Sequence, residues 1–134
     1  MMPELLKLYE ALQPLFREKM GERQVGDWVY DTVERKEKGM VIAIDSYDAK
    51  PVYNISFDNG GNGWRRAESL HRLPLPIDPV NPGRDLWSML HSPKALETKG
   101  DEVDVYDNEL RNFTGSTPVE ALLKALVAQE GVKI

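Results

Sequence analysis

Between Phe57 and Pro74 the chain reads FDNGGNGWRRAESLHRLP, with three glycines, a tryptophan and two adjacent arginines inside ten residues. Backbone amides of such a loop could cradle a phosphate, arginine forks match phosphate oxygens, and a tryptophan face stacks on a nucleobase. The run lacks the Lys-Ser/Thr ending of a P-loop and the G-x-G-x-x-G spacing of a dinucleotide fold, so the tight turn of a hairpin is the better reading. In a strand Arg65 and Arg66 point to opposite faces, and at most one of them shares the neighbourhood of Trp64. The surface a tryptophan must hide favours Trp64 as core or hairpin packing over a ligand contact. Trp64, Arg65 and Arg66, with Arg72 close by, still form the one basic cluster not interleaved with acids, and they are the first candidates for ligand or partner binding. Trp28 and Tyr30 join them. These two, with Tyr53, Phe57 and Trp64, could frame an aromatic cage, but Tyr53 and Phe57 share a strand face that belongs to the core.

The remaining chemistry is thinner. Asp58 to Gly63 has the outline of a calcium loop, yet its third position is Gly60 and its twelfth is Ser69, where an oxygen ligand and a glutamate are required. His71 and His91 are the only histidines and have no partner at helical spacing, which points to surface or structural roles and not to zinc. Ser69, Ser88 and Ser92 sit in no nucleophile-elbow sequence. Asp101, Glu102, Asp104, Asp107 and Glu109 read as a solvated hairpin face, with a magnesium site or a contact for a basic partner as the sharper alternative. With no cysteine, disulfides, thiolate metal sites and a cysteine nucleophile are excluded. No catalytic signature emerges, so the expectation is a protein that is not an enzyme and needs neither metal nor cofactor.

The totals set the scale on which these residues are positioned. A chain of 134 residues fits a single domain, residues 1–134, burying roughly two thirds of its unfolded surface. Net charge of -5 weighs against a protein that coats nucleic acid, and no run of apolar residues is long enough for a membrane span. Glu4, Lys7 and Glu10 interrupt the apolar core a secretory signal would need, so a cytoplasmic location is expected.

In residues 1–21, Leu5, Leu8, Tyr9, Leu12, Leu15 and Phe16 follow the rhythm of an amphipathic helix, with a kink or a break into two helices expected at Pro14. From 24 to 75 short strands alternate with turns: VGDWVY, GMVIAID, PVYNISFD, and a return through GWRRAESLHRL as a strand or a short helical turn. Residues 76–134 hold a proline-rich connector, a short helix at RDLWSML, a hairpin around Asp107-Asn108 and a final helix. That helix opens with the capping box Thr117-Pro118-Val119-Glu120, carries Leu122, Leu123 and Leu126 on one stripe and stops at Gly131. The leucine stripes of the terminal helices also leave a homodimer open.

The order Gly-Asp-aromatic-Val, Gly-x-Val-x-x-Ile, Tyr-x-Ile-x-Phe-Asp-x-Gly and Leu-x-x-Leu over residues 24–75 resembles small SH3-like barrels of the Tudor and KOW kind. The resemblance implies an α+β fold, with an antiparallel SH3-like barrel flanked by an N-terminal helix and a C-terminal helix that covers one side. It also implies a recognition module. The ordered combination LYEALQPLFREKMGERQVGD, LPLPIDPVNPGRDLW and LLKALVAQEGV resembles a family of small uncharacterised proteins encoded by phages and prophages of Firmicutes. That likeness implies a phage accessory protein in the host cytoplasm, binding a host protein or a small nucleotide-like ligand, with counter-defence as the role. The alternative is an SH3-like module that binds nucleic acid, although the charge makes nucleic acid the less favoured partner.

Overall fold

A computed structural model describes residues 3–133, and it shows an α+β chain with two antiparallel sheets and three helices. The chain divides into two compact units: Gly21–Leu73, and residues 3–20 together with 74–133.

The first unit is a five-stranded sheet. Strands β1 (Trp28–Asp31), β2 (Lys38–Tyr47), β3 (Lys50–Phe57), β4 (Asn62–Arg66) and β5 (Leu70–Arg72) lie in the order β4-β3-β2-β1-β5, all neighbours antiparallel. The alternation expected of PVYNISFD is realised, with Tyr53, Ile55 and Phe57 buried together with Val29, Val41 and Leu70. The glycine-rich run is a hairpin turn: Gly60 and Gly61 take positive φ, and the Gly60 and Phe57 amides bond to Phe57 O and Gly61 O. The return through WRRAESLHR contains both of the elements expected of it, since a 3-10 turn at Ala67–Ser69 separates β4 from β5. A bulge between Val41 and Ala43 bends β2. Among the described residues no ladder joins β4 to β5, and the five strands form one antiparallel sheet with β4 and β5 at its edges.

The β2–β3 hairpin closes through Asp48 and Ala49, which both have positive φ (54° and 61°), the signature of a two-residue type I′ loop. Alanine is a poor resident of left-handed backbone. Ala49→Gly is therefore expected to raise stability by about 1 kcal/mol, measured as a shift of the urea midpoint at unchanged slope; an unshifted or lowered midpoint would contradict this backbone geometry.

In the second unit, α1 (Pro3–Met20) buries Leu8, Tyr9, Leu12, Leu15, Phe16 and Met20. It runs through Pro14 without a break, contrary to the two-helix expectation. Pro14 faces solvent, and Leu12, Leu15 and Phe16, all buried, anchor the helix on both sides of it. The short α2 (Leu86–Met89) is capped by Asp85, whose carboxylate accepts from the Ser88 amide at 2.7 Å. Strands β6 (Ala95–Lys99), β7 (Glu102–Tyr106) and β8 (Asn112–Gly115) form a second antiparallel sheet in that order. The hairpin expected around Asp107-Asn108 is the β7–β8 pair, whose turn the Asp107 carboxylate holds through the Glu109 and Arg111 amides.

Helix α3 (Pro118–Glu130) starts as its capping sequence dictates, with Thr117 Oγ1 accepting from the Glu120 amide at 3.2 Å. The returning arm lands one residue earlier than a standard box, because Glu120 accepts from the amide and hydroxyl of Ser116. Those hydrogen bonds, the Ser116 amide foremost, hold the Glu120 carboxyl below its usual range. The leucine stripe of α3 is buried against β7, β8, α1 and α2.

Candidate functional site

The ladder register sorts every candidate residue onto one of two faces, because directly paired residues of an antiparallel sheet project to the same side. On the core side lie Val29, Asp31, Tyr53, Ile55, Phe57, Arg65, Leu70 and Arg72, linked by the pairs Tyr53↔Arg65, Asp31↔Leu70 and Val29↔Arg72. On the outer side lie Trp28 opposite Met40, Tyr30 between Lys38 and His71, Trp64 opposite Asn54, and Arg66 opposite Val52. Of the six candidates, Trp28, Tyr30, Trp64 and Arg66 therefore share the outer face, while Arg65 and Arg72 turn inward.

Trp64 is 48% exposed and does not belong to the core, which corrects the core half of the expectation of core or hairpin packing. The physical reason is parity. The core positions of β4 are Gly63 and Arg65, so the indole falls on the side away from Tyr53 and Phe57. Its neighbour two residues along, Arg66, stacks its guanidinium 5.4 Å from the Tyr47 ring. Across the sheet the Lys38 ammonium sits 4.7 Å from the Trp28 ring and pairs with Asp58 at 3.6 Å, and Tyr30 donates its hydroxyl proton to Lys36 O. Three strand spacings separate β4 from β1, about 14 Å, so the aromatics make two clusters on one surface instead of a closed cage.

Arg65 and Arg72 are occupied internally. Arg65 donates from Nε to Asp31 at 3.0 Å, pairs with Glu34 at 3.0 Å, reaches Trp64 O at 2.9 Å and lies 5.3 Å from the Phe57 ring. On the same Phe57 ring Arg35 stacks at 4.3 Å. The glycines serve these arginines. A Cβ on Gly63 would meet the Arg65 guanidinium at 2.7 Å, and one on Gly61 would meet Arg35 at 3.2 Å, so the loop makes room for cations of its own chain. Arg72 donates to Gly21 O and to Asp27.

Asp31 is the hub beneath the face. Fully buried, it accepts from the amides of Val33, Glu34 and Arg35 and from Arg65. Burial pushes its carboxyl up, but the Arg35 amide, the Arg65 guanidinium and the other two amides outweigh that and hold it below the usual range. Its role escaped the sequence reading, since an aspartate closing a strand looks like any turn residue. Tyr47, Lys38 and Met40 were also missed as members of the outer face: alternation links Lys38 to Met40, but the bulge between Val41 and Ala43 resets it, and only the pairing with β3 puts Tyr47 on the same side. Among the described residues no group of three or more His, Asp or Glu side chains is placed to hold a metal ion, and no helix is long and apolar enough to cross a membrane. His91 is exposed, and its backbone amide donates to Gln129.

Fold and surface together define an α+β chain that carries an aromatic and cationic sheet face. No family model, no curated protein and no solved structure matches it.

Proposed function

We propose that this chain is a non-catalytic phage accessory protein that acts in the host cytoplasm by docking a host protein on the outer face of its five-stranded sheet, as a counter-defence factor. The observation that carries the reading is the half-exposed Trp64 on the same face as Arg66, Trp28 and Tyr30, since tryptophan, tyrosine and arginine are the residues that dominate binding at protein interfaces. The face also departs from the charge of the chain. Against a net charge of -5 it presents Lys38, Lys50 and Arg66 beside Asp45 and Asp58, which suits a partner whose apolar patch is rimmed by carboxylates. The SH3-like reading of this unit is supported by the order β4-β3-β2-β1-β5, the bulge that bends the long β2, and the 3-10 turn between β4 and β5. The phage context rests on the sequence resemblance alone.

A second reading has its own support. Trp64 and Arg66, two residues apart on one strand, could set an indole on a base and a guanidinium on a phosphate, as a nucleotide-type ligand requires.

Pull-down from host extract separates these readings. Trp64→Ala and Arg66→Glu should each weaken the captured host protein by about 30-fold or more, while Val80→Ala in the other unit leaves it bound. Heat on calorimetric titration with cyclic or linear nucleotides, abolished by Trp64→Ala, would move the assignment to the nucleotide ligand. Oligonucleotide binding that weakens steeply with salt would move it to nucleic acid. A partner retained by both variants removes the face.

A further inference from the structure

We propose that the free edge of β2, over residues 42–46, pairs antiparallel with the same edge of a second copy of this chain, joining the two five-stranded sheets across a two-fold axis at Ile44. On one side β2 pairs with β3 from Gly39↔Phe57 to Tyr47↔Lys50, interrupted only by the bulge at Ile42. On the other side β1 covers it only from Lys38 to Met40, with Val41 held by Gly26 and Asp27 through backbone hydrogen bonds. There the chain turns away through the Gln24–Asp27 turn. Among the described residues, no strand and no backbone hydrogen bond outside β3 reaches 42–47.

The side chains report the same missing neighbour. Ile44 pairs with the buried Tyr53 and so belongs to the core side, yet it is 43% exposed, as is Ile42 in the bulge. Such apolar exposure on a core-side strand is what an absent flanking strand leaves behind. Natural sheets guard open edges with lysine, proline, short strands or inward-pointing charge. The other two edges obey this rule, since β4 carries Arg65 and Arg66 and β5 is only three residues long. The stretch Ile42-Ala43-Ile44-Asp45-Ser46-Tyr47 has no lysine, arginine or proline.

The sequence of the edge also selects its occupant. A two-fold axis perpendicular to the sheet pairs each residue with its copy about one central residue. Centred on Ile44, the register sets Ile44 opposite Ile44, Ala43 opposite Asp45 and Ile42 opposite Ser46. The only charge in the stretch then meets a small neutral side chain. Centred on Asp45, it would set carboxylate against carboxylate, which is destabilising. The terminal helices are not available for this, because their leucine stripes are buried within their own unit.

Sedimentation equilibrium over a concentration series tests the assignment. Wild type should show a monomer–dimer equilibrium, and Ile44→Lys, which opposes two ammonium groups at the axis, should raise the dimer dissociation constant by about tenfold or more. Val80→Lys, at an exposed site in the other unit, should leave it unchanged. The chain has no cysteine, so a second variant gives a clean readout that does not depend on tolerance of lysine. Directly opposed strand residues lie about 4.5–5.5 Å apart at Cα, inside the span a disulfide bridges. Under mild oxidation Ile44→Cys should cross-link to a dimer far faster than Val80→Cys. A wild type that stays monomeric up to its solubility limit, or equal cross-linking at both positions, overturns the proposal.

Discussion

Gly39→Ala is expected to lower stability by about 2–3 kcal/mol in urea unfolding, and to weaken partner capture through Trp64 at the same time. Gly39 stands where β2 passes closest to β3. A Cβ there would lie 2.5 Å from Ile55 Cγ2, 2.7 Å from Ser56 O and 3.2 Å from Phe57 Cα. The first of these can give way by rotation. The other two are backbone, and moving them means opening the ladder at Gly39↔Phe57 and Met40↔Ser56. That ladder sets β4 and β1 on the same layer, so the outer face loses its geometry along with the core. Gly60→Ala provides the contrast, because its Cβ would touch nothing while its φ of 96° is left-handed. Its cost should be conformational only, about 1 kcal/mol, with binding retained. Hydrogen exchange should show protection lost over β2 and β3 in Gly39→Ala and kept in α3. A variant as stable as wild type would mean that the two strands do not approach so closely.

Whether a feature could be read in the sequence depended on whether its signal lies along one element or between elements. Tyr53, Ile55 and Phe57 alternate with polar residues and fixed β3 and its buried face without help from any partner strand. Thr117, Pro118 and Gly131 likewise mark both ends of α3, since capping is a local matter of orphan amides and carbonyls. Trp64 shows the limit. Alternation within GWRR separates Trp64 and Arg66 from Gly63 and Arg65, but neither set is apolar enough to say which side faces the core. Only the pairing Tyr53↔Arg65 decides it. Arg65 and Arg72 looked like surface cations because a buried arginine is legible only when its carboxylate is known to be near. Strand β6 was invisible for a related reason. Its residues are mostly exposed, so Ala95 to Lys99 carries no apolar alternation, and the strand exists through its pairing with β7. Pro14 misled in the opposite direction on one point, the break into two helices: the local cost of a mid-helix proline is outweighed when buried side chains hold the helix before and after it.

Removing the Asp31 carboxylate should be the most damaging single change in the first unit. Asp31→Ala is expected to cost about 3–4 kcal/mol, because it strands a guanidinium in a poorly solvated site and deprives three amides of their acceptor. The side chain of Arg65 is only 12% exposed, and Glu34, at 65%, is too solvated to replace the buried partner. The consequence spreads to the loop 32–37, whose turn at Val33, Glu34 and Arg35 is held by Asp31, and to the paired arginines over Phe57. If the penalty comes from an unpaired charge, Arg65→Met in the Asp31→Ala background should recover part of it, while Arg65→Met alone should be less harmful than Asp31→Ala. The pH dependence follows from the same geometry. The folded-state carboxyl of Asp31 is held below its unfolded value of about 3.9, so its contribution is complete above that pH and is lost as pH falls through the lower folded value. The stability gap between wild type and Asp31→Asn should therefore stay constant from neutral pH down to about pH 4 and narrow only below it. Asp107 and Glu120, also held low, add acid lability to both proteins and cancel in the difference. A gap that closes well above pH 4, or a double variant no more stable than Asp31→Ala, would show that the buried ion pair does not hold this face in place.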